Sequence, residues 1–191
     1  MTAEQAAEAL TAAYQAEVEY RRMEYKPDAY MADNIRRVAC ALTADKPPLG
    51  LMLCGTPGNG KTTMLLALQA LVRWAGDIGL FGEDRVAITV VDAVQAAQQS
   101  REPRTFTQTL SRPVLAIEDI GREPAELLDY GNAISPVTSI IEHRYAEQLF
   151  TIITTNLTPK EVRSRYGDRV ADRLNEMMQV IVFRNPTYRK N

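Results

Sequence analysis

Past Leu49 the chain alternates short apolar runs with stretches of helical periodicity. Residues 51–54, 86–91, 114–117, 150–154 and 180–183 are continuous apolar or β-branched runs. Runs of that kind suit strands covered on both faces, and their alternation with helices predicts a five-stranded parallel α/β sheet. The segment 61–74 places Met64, Leu65, Leu68, Leu71 and Val72 on one helical face. Before the sheet, residues 1–25 contain no Gly or Pro and carry Leu10, Tyr14, Val18 and Tyr25 near one stripe. Pro27 stops that helix, and Asp28 is a natural N-cap for the next. There Met31, Ile35, Val38, Ala39 and Leu42 recur at amphipathic spacing until Lys46-Pro47-Pro48. The reading is a helical N-terminal extension, 1–46, before a main domain, 47–191. The narrow stripe suits either docking onto a partner or packing back on the chain's own domain. Residues 98–112 and 121–134 read as long loops or short inserted helices.

Composition narrows the class. The 191 residues are 46% hydrophobic and 24% charged, which is globular rather than disordered. Twenty-two basic against 24 acidic side chains give a net charge of -2, unlike a basic nucleic-acid coat protein. No apolar run approaches the ~20 residues of a membrane span, and the start lacks the n- and h-regions of a secretory signal. A cytoplasmic protein with no membrane partner is expected. Cys40 and Cys54, both set among apolar neighbours, cannot form a standard zinc site with the single His143. Cys54 reads as core and His143 as a surface or packing residue.

After the first strand comes Gly55-Thr56-Pro57-Gly58-Asn59-Gly60-Lys61-Thr62, a full match to G-x-x-x-x-G-K-[ST], with Thr63 next on the helix. Glycines let successive N–H groups curl toward a phosphate, and the following helix adds its positive end. Lys61 would neutralise phosphate oxygens and the Thr62 hydroxyl would ligate Mg²⁺. The chemistry points to a nucleoside triphosphate with Mg²⁺. The third strand runs into Glu118-Asp119, at the strand end where ligands of open α/β sheets bind. One carboxylate is needed there on the metal side, with Thr62, and a second to orient the attacking water. The fourth strand ends in Thr154-Thr155-Asn156, where an amide can face phosphate or water or simply make a turn. Near the C-terminus Arg163, Arg165, Arg169 and Arg173 surround Gly167, which separates two helices. Arg169 and Arg173 share a face, either as ion-pair partners of Asp168 and Asp172 or as an arginine finger.

Together these residues resemble the AAA+ ATPases of the DnaC/IstB type, bacterial helicase loaders and transposition ATP-binding subunits. The resemblance covers roughly residues 30–189. It rests on the cradle, on Leu115-Ala116-Ile117-Glu118-Asp119-Ile120-Gly121 and on Ile153-Thr154-Thr155-Asn156-Leu157. It continues through Tyr166-Gly167-Asp168-Arg169-Val170-Ala171-Asp172-Arg173-Leu174 and the closing stretch from Phe183 to Arg189. It implies a three-layer AAA+ (ASCE-type) P-loop NTPase sandwich with strand order 5-1-4-3-2. By the same resemblance Asn156 corresponds to sensor 1 and Arg173 to the trans-acting arginine, with Arg169 second. Two departures stand out. The family usually reads Asp-Glu or Asp-Asp where this chain has Glu118-Asp119. Direct carry-over makes Glu118 the metal-side carboxylate and Asp119 the water-orienting one, with slow hydrolysis implied by the shorter side chain. The helical extension is also shorter than the helicase-binding domain of many loaders.

The first functional expectation is an ATP-hydrolysing helicase loader acting on a replicative helicase at single-stranded DNA, self-associating through its arginine finger. Alternatives are an IstB-like ATPase binding duplex DNA and a transposase, a small-molecule P-loop kinase, or a scaffold that binds ATP and barely turns it over. The basic loop of Arg101, Arg104 and Arg112 reads as a DNA contact or as a solvated connection.

Overall fold

The structure, a computed structural model, describes residues 1–78, 86–124, 127–129 and 132–189, leaving aside the side chains of the 127–129 and 132–134 strands. Two helices, α1 (Ala3–Tyr20) and α2 (Ala29–Leu42), precede β1 (Gly50–Gly55) and α3 (Lys61–Asp77). Then come β2 (Ile88–Asp92), α4 (Ala93–Gln99), α5 (Pro103–Leu110) and β3 (Val114–Ile120). A hairpin of β4 (Leu127–Asp129) and β5 (Asn132–Ile134) leads to α6 (Pro136–Ala146), β6 (Phe150–Thr155), α7 (Pro159–Met177) and β7 (Met178–Phe183).

The main sheet runs β2-β3-β6-β1-β7 with every pairing parallel. Numbered among themselves, its strands lie in the order 2-3-4-1-5, which is the expected 5-1-4-3-2 counted from the other edge. Each central strand is apolar on both faces, so its side chains divide between two cores. Leu115, Ile117 and Ile153 pack with Ile140, Ile141, Leu174 and Met177 on the α6/α7 side. Leu51, Leu53, Ala116 and Ile152 pack with Met64, Leu65 and Leu68 of α3 on the other. Leu10, Tyr14, Met31, Ile35 and Val38 belong to that second core, so α1 lies against α2 and α3. Of the two roles open to the N-terminal stripe, packing back on the chain is the one observed.

Local signals account for the ends of these elements. A capping box of Thr2 and Gln5 starts α1, and Asp28 caps α2 by accepting from Met31 N–H at 2.9 Å. The first helix ends at Tyr20, not near Tyr25, because the backbone turns left-handed at Arg22 (φ 58°). Gly167 breaks α7 as expected, with φ 83° and ψ 167°. Three expectations need correcting. The 121–134 stretch contains an antiparallel strand pair where loops or helices were expected, and the second strand begins at Ile88. Cys40 is exposed, since it falls on the outer face of α2, while Cys54 is buried. Residues 98–112 do hold a short helix, α5.

Candidate functional site

The cradle spans the β1–α3 connection. Gly58 (φ 82°) and Gly60 (φ 94°) take left-handed conformations that L side chains rarely adopt. A Cβ on Gly60 would lie 2.4 Å from the Tyr14 hydroxyl oxygen, and one on Gly58 2.3 Å from Thr187 Oγ1. Both glycines are thus required by backbone sign and by close neighbours. Lys61, at the start of α3, is 5% exposed. Its Nζ lies within hydrogen-bond reach of Gly55 O (2.8 Å), Thr56 O (2.9 Å), Asn59 Oδ1 (3.0 Å) and Asn156 Oδ1 (2.9 Å). Four acceptors surround three N–H donors, and none is a carboxylate. Burial pushes the Lys61 ammonium below its ordinary range, while the Asp119 charge pulls it back up. A buried cation ringed by neutral oxygens is a site shaped for an anion, so the residues present fit a phosphate group.

The carboxylates reach the cradle through a break in the sheet. β3 pairs with β6 in register up to Ile117, and the register shifts before Ile120. Glu118 and Asp119 therefore leave the β3–β6 ladder, as a bulge allows. Asp119 sits at φ 55°, a conformation uncommon for a residue with a side chain. Its N–H donates to Thr154 Oγ1 at 2.8 Å, and Thr155 Oγ1 donates to Ile120 O at 2.9 Å. The two threonines of β6 thus hold the bulge with side-chain bonds in place of ladder bonds. The Asp119 carboxylate meets Arg122 at 3.1 Å. Thr62 Oγ1 donates to Glu118 Oε1, placing a hydroxyl and a carboxylate together. Such oxygen donors suit Mg²⁺, which takes few protein ligands and keeps water and phosphate for the rest. Among the described residues no group of three or more His, Cys, Asp or Glu could hold a metal by itself.

Lys61, Thr62, Asn59, Glu118 and Asn156 are brought together, with Asp119 at their edge. Arg169 and Arg173 are not part of that cluster. Both pair with Glu142 of α6, at 3.1 Å and 2.8 Å, and Arg173 lies over the Tyr145 ring at 5.1 Å. Asp168 and Asp172, expected as their partners, pair with Arg163 instead. Thr63 faces α1, where Arg21 NH1 lies 3.5 Å from its Oγ1.

Asn185 and Tyr188 lie in the closing stretch that carries the resemblance, but no pattern gave them, or Asp28, the role of bracing the cradle from outside. Asn185 Nδ2 donates to Asn59 O at 2.9 Å, Tyr188 N–H to Gly58 O at 2.8 Å, and Tyr188 Oη to Asp28 at 2.6 Å. Asn59, fully buried, donates in turn to Phe183 O at 3.0 Å. These partners lie more than a hundred residues apart and share no local spacing that could have found them.

Comparison with known proteins agrees with this geometry. The chain is 26% identical over 143 residues to the replicative helicase loader DnaI of Bacillus subtilis (strain 168), covering 70% of this chain and 43% of that protein. The chain thus spans less than half the length of that relative. Its fold matches a crystal structure of the DnaC helicase loader with a TM-score of 0.63 at 21% identity, covering 84% of this chain and 93% of the other. It also matches AMPPCP-bound DnaA from Aquifex aeolicus, with a TM-score of 0.57 at 15% identity over 83% and 48% of the two chains. The TM-scores show that these neighbours share the α/β fold of this chain. No helix among the described residues is long and apolar enough to cross a membrane. The family description "IstB-like ATP binding protein" matches residues 8–191, nearly all of this sequence, and the chain belongs to that nucleotide-binding family.

Proposed function

We propose that this chain hydrolyses ATP with Mg²⁺ and uses the cycle to act on a replicative helicase at single-stranded DNA. The observation that carries the catalytic part is the convergence of Lys61, Asn156, Thr62, Glu118 and Asp119 at one strand end. Thr62 and Glu118 are the residues that would hold Mg²⁺. When bound, the ion supplies positive charge to the phosphate oxygens. Lys61 exchanges some of its four neutral acceptors for phosphate oxygens, a stronger charge-assisted contact. Losing Lys61 as a partner leaves the Asn156 amide oxygen available to an attacking water. Asp119, at the rim of the cluster, orients that water and takes its proton. Arg173, with Arg169 second, would reach the site of a neighbouring copy.

The helicase partner rests on the likeness to the DnaI and DnaC loaders. The test is ATP turnover by the purified chain, alone and with single-stranded or duplex DNA. Stimulation by single-stranded DNA, together with co-purification with a replicative helicase, is the expected result. The IstB-like family match favours a second reading, a transposition ATPase, and stimulation by duplex DNA alone would select it. Absence of phosphate release under every condition would leave a nucleotide-binding scaffold.

A further inference from the structure

The end of β3 passes twice through the left-handed region, at Asp119 (φ 55°) and at Gly121 (φ 103°). Arg122 N–H donates to Asp119 O at 3.2 Å and closes the turn. A Cβ on Gly121 would lie 2.7 Å from Leu157 Cδ1, so the turn is wedged against the residue that follows Asn156. A side-chain-bearing residue in that region costs conformational energy and persists only where its surroundings over-determine it. Thr154 supplies one restraint, at the Asp119 N–H. Glu123 supplies another.

The Glu123 side chain folds back on the turn, and its Oε2 accepts from Gly121 N–H at 2.8 Å. Its Oε1 accepts from the Tyr166 hydroxyl and lies 3.5 Å from Arg165 Nε. Arg165 also donates to Glu123 O through its NH2 group. Glu123 is 3% exposed, and Arg165 and Tyr166 end the first half of α7, just before the Gly167 break. Burial, reinforced by Glu123, holds the Tyr166 phenol above its ordinary range, so it remains a donor at neutral pH. A buried carboxylate carries a desolvation cost that these donors offset, and an apolar side chain would avoid that cost altogether. What the carboxylate adds is a link, with α7 on one side and the turn that carries Asp119 on the other.

We infer that Glu123 is a positioning residue for Asp119, locking the turn that presents this carboxylate by tying it to the first half of α7. The inference rests on the reading of Asp119 as the carboxylate that orients and deprotonates the attacking water. None of Glu123's partners belongs to the cluster around Lys61, so its influence runs through the turn alone. That influence is large in rate, because a misplacement of about 1 Å at a reacting group costs ~10²-fold.

The test is steady-state phosphate release by the full chain, with Mg–ATP affinity titrated separately and melting curves to confirm that each variant is folded. Glu123→Ala should lower kcat about ten- to a hundredfold while ATP affinity stays within about twofold of wild type. Glu123→Gln, whose amide oxygen can still accept from Gly121 N–H, should recover most of that rate. Tyr166→Phe removes only the far anchor and should lower kcat less than Glu123→Ala does. The decisive readout is coupling. In an Asp119→Asn background Glu123→Ala should lower the residual rate no further, because its effect passes through a group already disabled. An equal loss in both backgrounds would overturn the inference and leave a purely structural carboxylate. An unchanged kcat, an ATP affinity that falls in step with kcat, or a glutamine variant no better than alanine would overturn it too. Should Glu123→Ala not fold, Tyr166→Phe takes its place in the same cycle. A wild-type chain that releases no phosphate, or an Asp119→Asn variant as fast as wild type, defeats the underlying reading of Asp119, and this inference goes with it.

Discussion

At the scale of single residues the site is a balance of charges that an anion completes. Lys61 is buried with four neutral oxygens, so Lys61→Ala removes the main attraction for phosphate while relieving the fold of a desolvated charge. The variant should lose ATP binding, which titration checks, while the relief of the desolvated charge offsets part of the cost of leaving those oxygens without a donor. On the proposed reading the two carboxylates separate binding from turnover. Asp119→Asn keeps the side-chain shape but cannot take a proton, so nucleotide affinity should hold while hydrolysis falls, by about 10²–10⁴-fold. Glu118→Gln weakens the oxygen pair with Thr62 and should raise the Mg²⁺ concentration needed for half-maximal turnover. If Glu118→Gln abolishes turnover at saturating Mg²⁺ and Asp119→Asn does not, the roles implied by position are reversed. Arg144 shows what a buried cation does when it is structural. It is fully buried, and its Nε and NH groups donate to Thr151 Oγ1 and to the carbonyls of Leu110, Arg112 and Phe150. Burial pushes it down to about 10, so it remains charged at neutral pH. Arg144→Met would leave those carbonyls unpaired in the interior, and urea unfolding should show a loss of about 3 kcal/mol or more.

At the scale of elements, the sheet was legible because both faces of its strands are apolar. Runs such as Val114 to Ile117 and Phe150 to Thr154 can hardly be anything but buried strands. The cradle was legible because its spacing is dictated by the phosphate it must curl around. Long-range contacts were not. Nothing local marks Arg144 as the residue that satisfies carbonyls from several segments, or Asn185 and Tyr188 as supports of the phosphate loop. The bulge at Glu118-Asp119 was likewise hidden, since it depends on Thr154 and Thr155 across the sheet. The stripe on α1 was visible, but its destination depended on the apolar outer face of α3. Leu10 and Tyr14 are almost fully buried there, each worth about 1.5–3 kcal/mol. Deleting residues 1–26 should therefore lower the thermal midpoint by at least several degrees, at roughly 2–4 °C per kcal/mol for a chain this long. A midpoint unchanged by the deletion would mean that α1 contributes nothing to the fold.

The same packing sets the alkaline limit. Burial holds the phenols of Tyr14, Tyr166 and Tyr188 well above their ordinary 10.0, and Asp28 and Glu123 reinforce it for Tyr188 and Tyr166. A folded-state value above the unfolded one gives stability that is present below pH 10 and lost as pH rises beyond it. Lys61 acts oppositely, because its lowered value makes its cost disappear as pH approaches 10.5. Three phenols outweigh one amine, so the thermal midpoint should fall steadily above pH 10. Tyr188→Phe should make that fall shallower.

At the scale of the whole molecule, one question is whether a single chain holds a complete catalytic site. Arg173 sits away from the cradle, on the second half of α7 beyond the Gly167 break. Its guanidinium is mostly covered, held by Glu142 and stacked on Tyr145, and Arg169 shares the same carboxylate oxygen. Arg169 and Arg173 share one carboxylate, so on the proposed reading either could exchange Glu142 for a phosphate of a neighbouring copy. In the isolated chain Arg173→Ala should leave ATP affinity near wild type, because the residue does not touch the chain's own cradle. Under conditions where the protein assembles, hydrolysis should fall steeply, since a trans-acting arginine is worth up to about 10³–10⁵ in rate. Mixing separates this from a local ion pair. Arg173→Ala protomers carry an intact cradle, and Lys61→Ala protomers carry an intact arginine. Each is inactive alone, but at an interface pairing the two, one cradle meets one arginine and turnover should return in part. The recovery should peak at an intermediate mixing ratio, where mixed interfaces are commonest. If light scattering shows mixed assemblies and no ratio restores phosphate release, Arg173 is bound to Glu142 for the sake of the fold alone, and the site of each chain must work without its neighbour.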